Sequence, residues 1–160
     1  MRLSHKPSLD RSHYPFVHSL RTRFGETDAM GIIHHGSYPE YLEEARVAML
    51  RGAGYPYEAV RSGPDGVDFA VLELYLRHRR PLRFDDDVRI YTVVGHLTRT
   101  TFQIGYLLEV EDEARATAVT VHGAVDLEGR PTRMPPFVAH LVGATPEAPA
   151  AGASPGPGVQ

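Results

Sequence analysis

The sequence has no cysteine, which excludes disulfide staples, thiolate metal sites and a cysteine nucleophile at once. The fold must stand on packing. An excess of one charge is also missing: 17 basic and 20 acidic side chains, mixed along 160 residues, leave a formal charge of -3. No electrostatic footprint for nucleic acid or an anionic membrane stands out, so a small molecule or another protein is the expected partner. Nowhere do about 18 uncharged apolar residues run together, so no membrane span is expected. The N-terminal MRLSHKPSLDRSHYP lacks the apolar core of a secretory signal, which makes the cytoplasm the default location.

The stretch 144–160, ATPEAPAAGASPGPGVQ, lacks large apolar side chains and is expected to be a disordered tail. What remains, residues 14–143, has the length of one domain with one core.

Within that domain Phe16, His18, Leu20, Thr22 and Phe24 alternate with Val17, Ser19, Arg21 and Arg23, the pattern of a half-buried strand. From Ser37 the period changes. Tyr38, Tyr41, Leu42, Ala45, Ala48, Met49 and Ala53 fall at helical spacing, with Glu40, Glu43, Glu44, Arg46 and Arg51 on the other arc. Ser37 followed by Glu40 reads as a capping box, and Gly52 and Gly54 mark the far end. Beyond SGPDG at 62–66, four β-like stretches run over 69–78, 88–95, 101–110 and 115–125, and PPFVAHLV suggests a terminal helical turn. One strand, one long helix and four strands predict an α+β domain: a five-stranded, largely antiparallel sheet wrapped around a central helix.

Two acids and two adjacent histidines crowd the stretch GETDAMGIIHHGSYPEYLEEAR, residues 25–46. Its TDAMGIIHHGSYPEYLEEAR resembles the TD-x-x-G-x-x-x-H-x-x-Y…AR signature of the hotdog-fold acyl-CoA thioesterases, in the branch of 4-hydroxybenzoyl-CoA thioesterase and the Tol-Pal-associated thioesterases. FAVLELYLRHRRPLRFDDDVRIYT and VDLEGRPTRMP are similar to later parts of that family, so the resemblance covers roughly residues 16–140. It implies a sheet curled around a helix and paired with a second copy, as a homodimer or homotetramer. It also implies hydrolysis of an acyl-CoA, aroyl-CoA or carrier-protein thioester, with no cofactor beyond the CoA of the substrate. Asp28 matches the catalytic carboxylate, Gly31 the tight turn and His35 the position opening the helix; Tyr38 and Arg46 match as well. Glu26 stands where the family usually has aspartate and His34 where it usually has tyrosine, both beside the chemistry.

With no cysteine and no G-x-S-x-G elbow, a carboxylate is the natural agent, as a nucleophile or as a general base on water. Asp28 is the candidate, the ordinary alternative being an aspartate that caps its own turn. Backbone N–H groups of the first helical turn, near His35 and Gly36, are expected to hold the oxyanion, with Gly31, His34, Gly36 and Tyr38 around the substrate. His35 reads as a general acid, an orienting group or a plain helix-start histidine. Glu26, Asp28, His34 and His35 also invite a metal, but no ligand spacing such as H-x-x-x-H supports one. Glu43 and Glu44 read as a solvated helix face, or as the catalytic acid in other hotdog branches. Arg99 reads as a weak contact to the nucleotide end of CoA or as a surface arginine. Asp85 to Asp87 read as turn-shaping. The rival function is a non-catalytic acyl- or CoA-binding module, which would have no use for an acid aimed at a carbonyl.

Overall fold

The computed structural model describes residues 7–142; the tail expected from Ala144 lies outside them. β1 (Phe16–Arg21) is followed by the long helix α1 (Tyr38–Gly52) and a short helix α2 (Tyr57–Ser62). Then come β2 (Val67–His78), β3 (Asp87–Gly95), β4 (Thr101–Val110), β5 (Glu113–Asp126) and a closing turn of helix α3 (Phe137–Leu141). The strands form one sheet of five in the order β1-β3-β4-β5-β2, every neighbouring pair antiparallel.

The chain therefore leaves the sheet at one edge after β1, crosses one face as α1 and rejoins at the opposite edge as β2. It then runs back across the end of the sheet to reach β3 beside β1. Two loops meet at that end. Thr22 N–H donates to the Asp86 carbonyl at 3.0 Å, Thr22 Oγ1 to the Arg83 carbonyl at 2.6 Å, and Ile33 N–H to the Leu82 carbonyl at 2.8 Å. Leu82 is completely buried between them.

Tyr38, Tyr41, Leu42, Ala45, Met49 and Leu50 form the buried face of α1 and pack on the inner face of the sheet, where Ile90, Ile104, Tyr106 and Leu108 are solvent-free. Burying such side chains stabilises by about 1.5–3 kcal/mol each. Three local expectations are corrected. Phe24 does not continue β1 inward; the strand stops at Arg21, Phe24 opens a 3-10 turn and is 74% exposed against the edge of Phe84. Ser37 caps nothing, because a 3-10 turn over His35–Ser37 winds the helix one turn further back and leaves Ser37 in helical conformation. Pro39 fits that first turn, where its missing N–H costs nothing.

Arg46, placed by its charge on the solvent arc, is instead 7% exposed. Its guanidinium hydrogen-bonds the Tyr106 hydroxyl. Tyr106 Oη lies 3.0 Å from Thr120 Oγ1, which lies 2.7 Å from Nε2 of the fully buried His122. An arginine can only donate, so Tyr106 accepts from it. His122 Nδ1 has no partner among the described residues.

Burial first, and the Arg46 charge second, push the His122 imidazole down to about 3 from its ordinary 6.5. The unfolded chain then binds more protons than the folded one between those values, so stability is complete above the upper one and falls as pH drops through the window. Urea unfolding is expected to show a loss of about 2 kcal/mol from this group between pH 7 and pH 5. A His122→Gln variant should lack that component.

Candidate active site

The loop from β1 to α1 is built on hydrogen bonds of its own side chains. Glu26 accepts from the Arg23 N–H at 2.8 Å, pairs with Arg23 Nε at 3.2 Å and receives a short hydrogen bond from the Tyr41 hydroxyl on α1. Its carbonyl accepts from the His34 N–H at 2.8 Å. One glutamate thus ties both arms of the loop to the helix. Its extra methylene, relative to the aspartate usual in the resembling family, lets it reach Tyr41. Burial, and then the Glu26 carboxylate, push the Tyr41 phenol upward, so it stays a donor. Tyr41→Phe is expected to cost about 1–3 kcal/mol in chemical denaturation, because a largely buried carboxylate loses a donor.

Asp28 sits in the turn that Glu26 anchors. Its Oδ1 accepts from Met30 N–H at 2.8 Å and Ile32 N–H at 3.4 Å, while its backbone exchanges bonds with Gly31 and Ile32. Gly31 closes the turn at φ +75°, with nothing within 4 Å of where a Cβ would stand. It serves the left-handed backbone rather than a close approach. The turn reading of Asp28 and the catalytic one are therefore compatible: one oxygen holds the loop, and Oδ2 accepts no bond from the described residues.

At the start of the helix, His34 caps the 3-10 turn by accepting the Gly36 N–H on Nδ1 at 2.9 Å. Its ring lies 4.1 Å from that of His35. A Cβ on Gly36 would meet His34 Nδ1 at 2.9 Å, so Gly36 makes room for this cap. Ser37 N–H donates to the His34 carbonyl and Tyr38 N–H to that of His35. The donor left over at this turn is the His35 N–H, at the positive end of α1.

Asp28, His35 and Tyr38 line a cleft of about 480 Å³ together with His78, Arg79 and Arg80 at and just after the end of β2. Met30 and Ile32 make its apolar part. Tyr38 is 1% exposed, hydrogen-bonded to the Leu82 backbone, with its ring edge-on to His78 at 4.6 Å. It forms part of the cleft wall.

Glu43 and Glu44 are not brought here. With Glu40 they line a separate groove on the solvent side of α1, where Glu44 pairs with His18 at 2.7 Å. Asp85 and Asp86 shape the corner before β3: Asp85 adopts φ +64° and pairs with Arg21 at 3.3 Å, and Asp86 Oδ2 accepts the Arg83 N–H at 2.7 Å. Arg99 is exposed in the β3–β4 connection, at the opposite end of the sheet. Among the described residues no three histidine, aspartate or glutamate side chains gather as metal ligands, and no helix is long and apolar enough to cross a membrane.

Sequence reasoning missed His78, Arg79 and Arg80. No local pattern marks them, since they meet Asp28 only through the strand order.

A family model described as the thioesterase-like superfamily matches residues 22–142. A protein of Aquifex aeolicus (strain VF5) named "Putative esterase" is 40% identical over 108 residues, 68% of this chain and 83% of that one. The acyl-CoA thioester hydrolase YbgC of Escherichia coli O157:H7 is 30% identical over 82 residues, 51% of this chain and 60% of its own length. The crystal structure of a hypothetical protein from Aquifex aeolicus aligns with a TM-score of 0.74 at 37% identity, covering 80% of this chain and 99% of that one. The matched span takes in the Asp28 loop, the central helix and every strand after β1, and on it the chain belongs to the thioesterase-like superfamily.

Proposed function

We propose that the protein hydrolyses acyl-CoA thioesters to a carboxylic acid and free CoA, with Asp28 as the attacking or water-activating carboxylate. The observation that carries this reading is that one cleft brings together a pinned carboxylate and the N-terminus of α1. A thioester carbonyl set between them presents its carbon to Asp28 Oδ2 and its oxygen to the His35 N–H, where developing negative charge is stabilised. Displacement of the His34 imidazole would release the Gly36 N–H as a second donor. His34, His35 and Gly36 thus surround the oxyanion, Gly31 holds the Asp28 turn and Tyr38 walls the acyl group. CoA belongs to the substrate, and no cofactor is required. A non-catalytic binding module would leave only the turn-holding oxygen of Asp28 with a task, and Oδ2 with none.

A homodimer completes the proposal. β2 is an edge strand on which Val71, Leu72, Leu74 and Tyr75 are each roughly half exposed (51, 52, 43 and 46%). An apolar edge of this kind calls for a second strand. A two-fold pairing of β2 with its copy sets the His78 end of one strand beside the Val67 end of the other. Val67 pairs with Asp126, and Thr100 bonds the nearby Ala124, so Arg99 of the partner subunit comes to the mouth of the cleft, where CoA phosphates would lie. Thiol release from a panel of aliphatic and aromatic acyl-CoA and acyl-carrier-protein thioesters tests the function. Hydrolysis of none of them would overturn it.

A further inference from the structure

His78 is the one imidazole of the cleft that does not belong to the Asp28 loop or the helix start. It is the last residue of β2 and lines the same cleft as Asp28, with its ring seated edge-on against Tyr38 and exposed in the single chain. Asp28 already spends Oδ1 on two backbone N–H groups. A carboxylate pinned in this way is well set to attack through Oδ2, but hydrolysis of the resulting anhydride needs a separate acceptor for the proton of water. His34 has its Nδ1 occupied by Gly36, and His35 stands at the helix start, on the oxyanion side of the proposed carbonyl.

We propose that His78 is a catalytic residue, the general base for the second half of the reaction. This rests on the reading of the cleft as a thioester-hydrolysing site. Asp28 Oδ2 bonds to the thioester carbon and the C–S bond breaks, giving an acyl-aspartyl anhydride and CoA thiolate. Water then adds to the acyl carbon while its proton passes to the His78 imidazole. The bond to Asp28 breaks, restoring the carboxylate and freeing the acid. The His78 imidazolium returns its proton to the thiolate, and the acid ionises to solvent.

The surroundings suit this role. Partial burial first, and the His35 charge second, hold the His78 imidazole below the ordinary histidine range, so it carries a free lone pair at neutral pH. The neighbouring charges from each packed element are Arg77, Arg79 and Arg80 on and after β2, Asp28 and His35 in the same cleft, and Arg115 on β5. Glu113 offsets two of them, pairing with Arg80 at 2.9 Å and Arg115 at 3.3 Å.

Rapid-mixing thiol release by the full chain, on an acyl-CoA that the wild type hydrolyses, tests the role. His78→Gln and His78→Ala, both checked for fold by circular dichroism, should release about one thiol per site in a burst and then turn over about 100-fold or more slowly. Imidazole in the buffer should restore His78→Ala. The fall of wild-type kcat at acid pH should vanish from His78→Gln. Turnover within a few-fold of wild type, or slow turnover with neither burst nor imidazole rescue, would overturn the role. If Asp28→Asn is inactive while His78→Gln is unimpaired, His78 alone is misassigned. If Asp28→Asn retains activity, the reading of the cleft fails and the His78 role with it.

Discussion

Asp28→Asn is expected to lower acyl-CoA turnover by about 100- to 10,000-fold while leaving the fold and KM nearly unchanged. The substitution is nearly isosteric, and its amide oxygen can still accept the Met30 and Ile32 N–H groups that Oδ1 holds now. The loop therefore survives, and the lost property is the anion that attacks the carbonyl or takes a proton. Binding should persist because the cleft walls, Met30, Ile32 and Tyr38, are untouched. Glu43→Gln and Glu44→Gln supply the contrast. These side chains face another groove, and the exposed His18–Glu44 pair is worth at most about 1 kcal/mol. Both variants should keep wild-type turnover. An Asp28→Asn enzyme within a few-fold of wild type would return Asp28 to the status of a turn residue.

The second large effect is expected from the sheet edge. Placing lysine at both Val71 and Leu74 should convert the dimer to a monomer by light scattering at micromolar concentration and abolish most hydrolysis. Lysine on an edge strand is a natural device against pairing, and the two side chains are 51% and 43% exposed in the single chain, so the monomer itself should stay folded. Activity should fall with assembly, since the cleft lies at the His78 end of the same strand and the proposed two-fold pairing is what would bring Arg99 of the partner subunit to it. A wild type that scatters as a monomer, or a monomeric variant with full turnover, would refute the arrangement.

Much of the fold was legible because its signals are local. The expected bounds of β4, 101–110, coincide with the strand observed, and α1 begins and ends within a residue of its apolar period. The short helix α2 escaped notice because six residues carry too little periodicity. Arg46 was misread because charge predicts exposure unless a buried acceptor such as Tyr106 waits on a distant strand, and nothing near Arg46 in sequence announces it. In the site, the Asp28 turn could be read from its own residues. The clamp of Glu26 on Tyr41 and the sharing of one cleft by His78 and Asp28 could not, since each depends on tertiary contacts between elements.

The strand order has a consequence for how activity is gained and lost. The two walls of the cleft leave the sheet at opposite edges and are joined by long-range contacts, Ile33 to Leu82, Thr22 to Arg83 and Asp86, and Tyr38 to His78. Contacts of such sequence separation form late, because their loop-closure entropy must be met before they reward it. No contiguous stretch between the two edge strands carries both walls of the cleft, and a chain with its core collapsed but either edge strand unzipped has no cleft. Catalytic competence is thus a property of the closed sheet as a whole, and turnover serves as a reporter of complete folding.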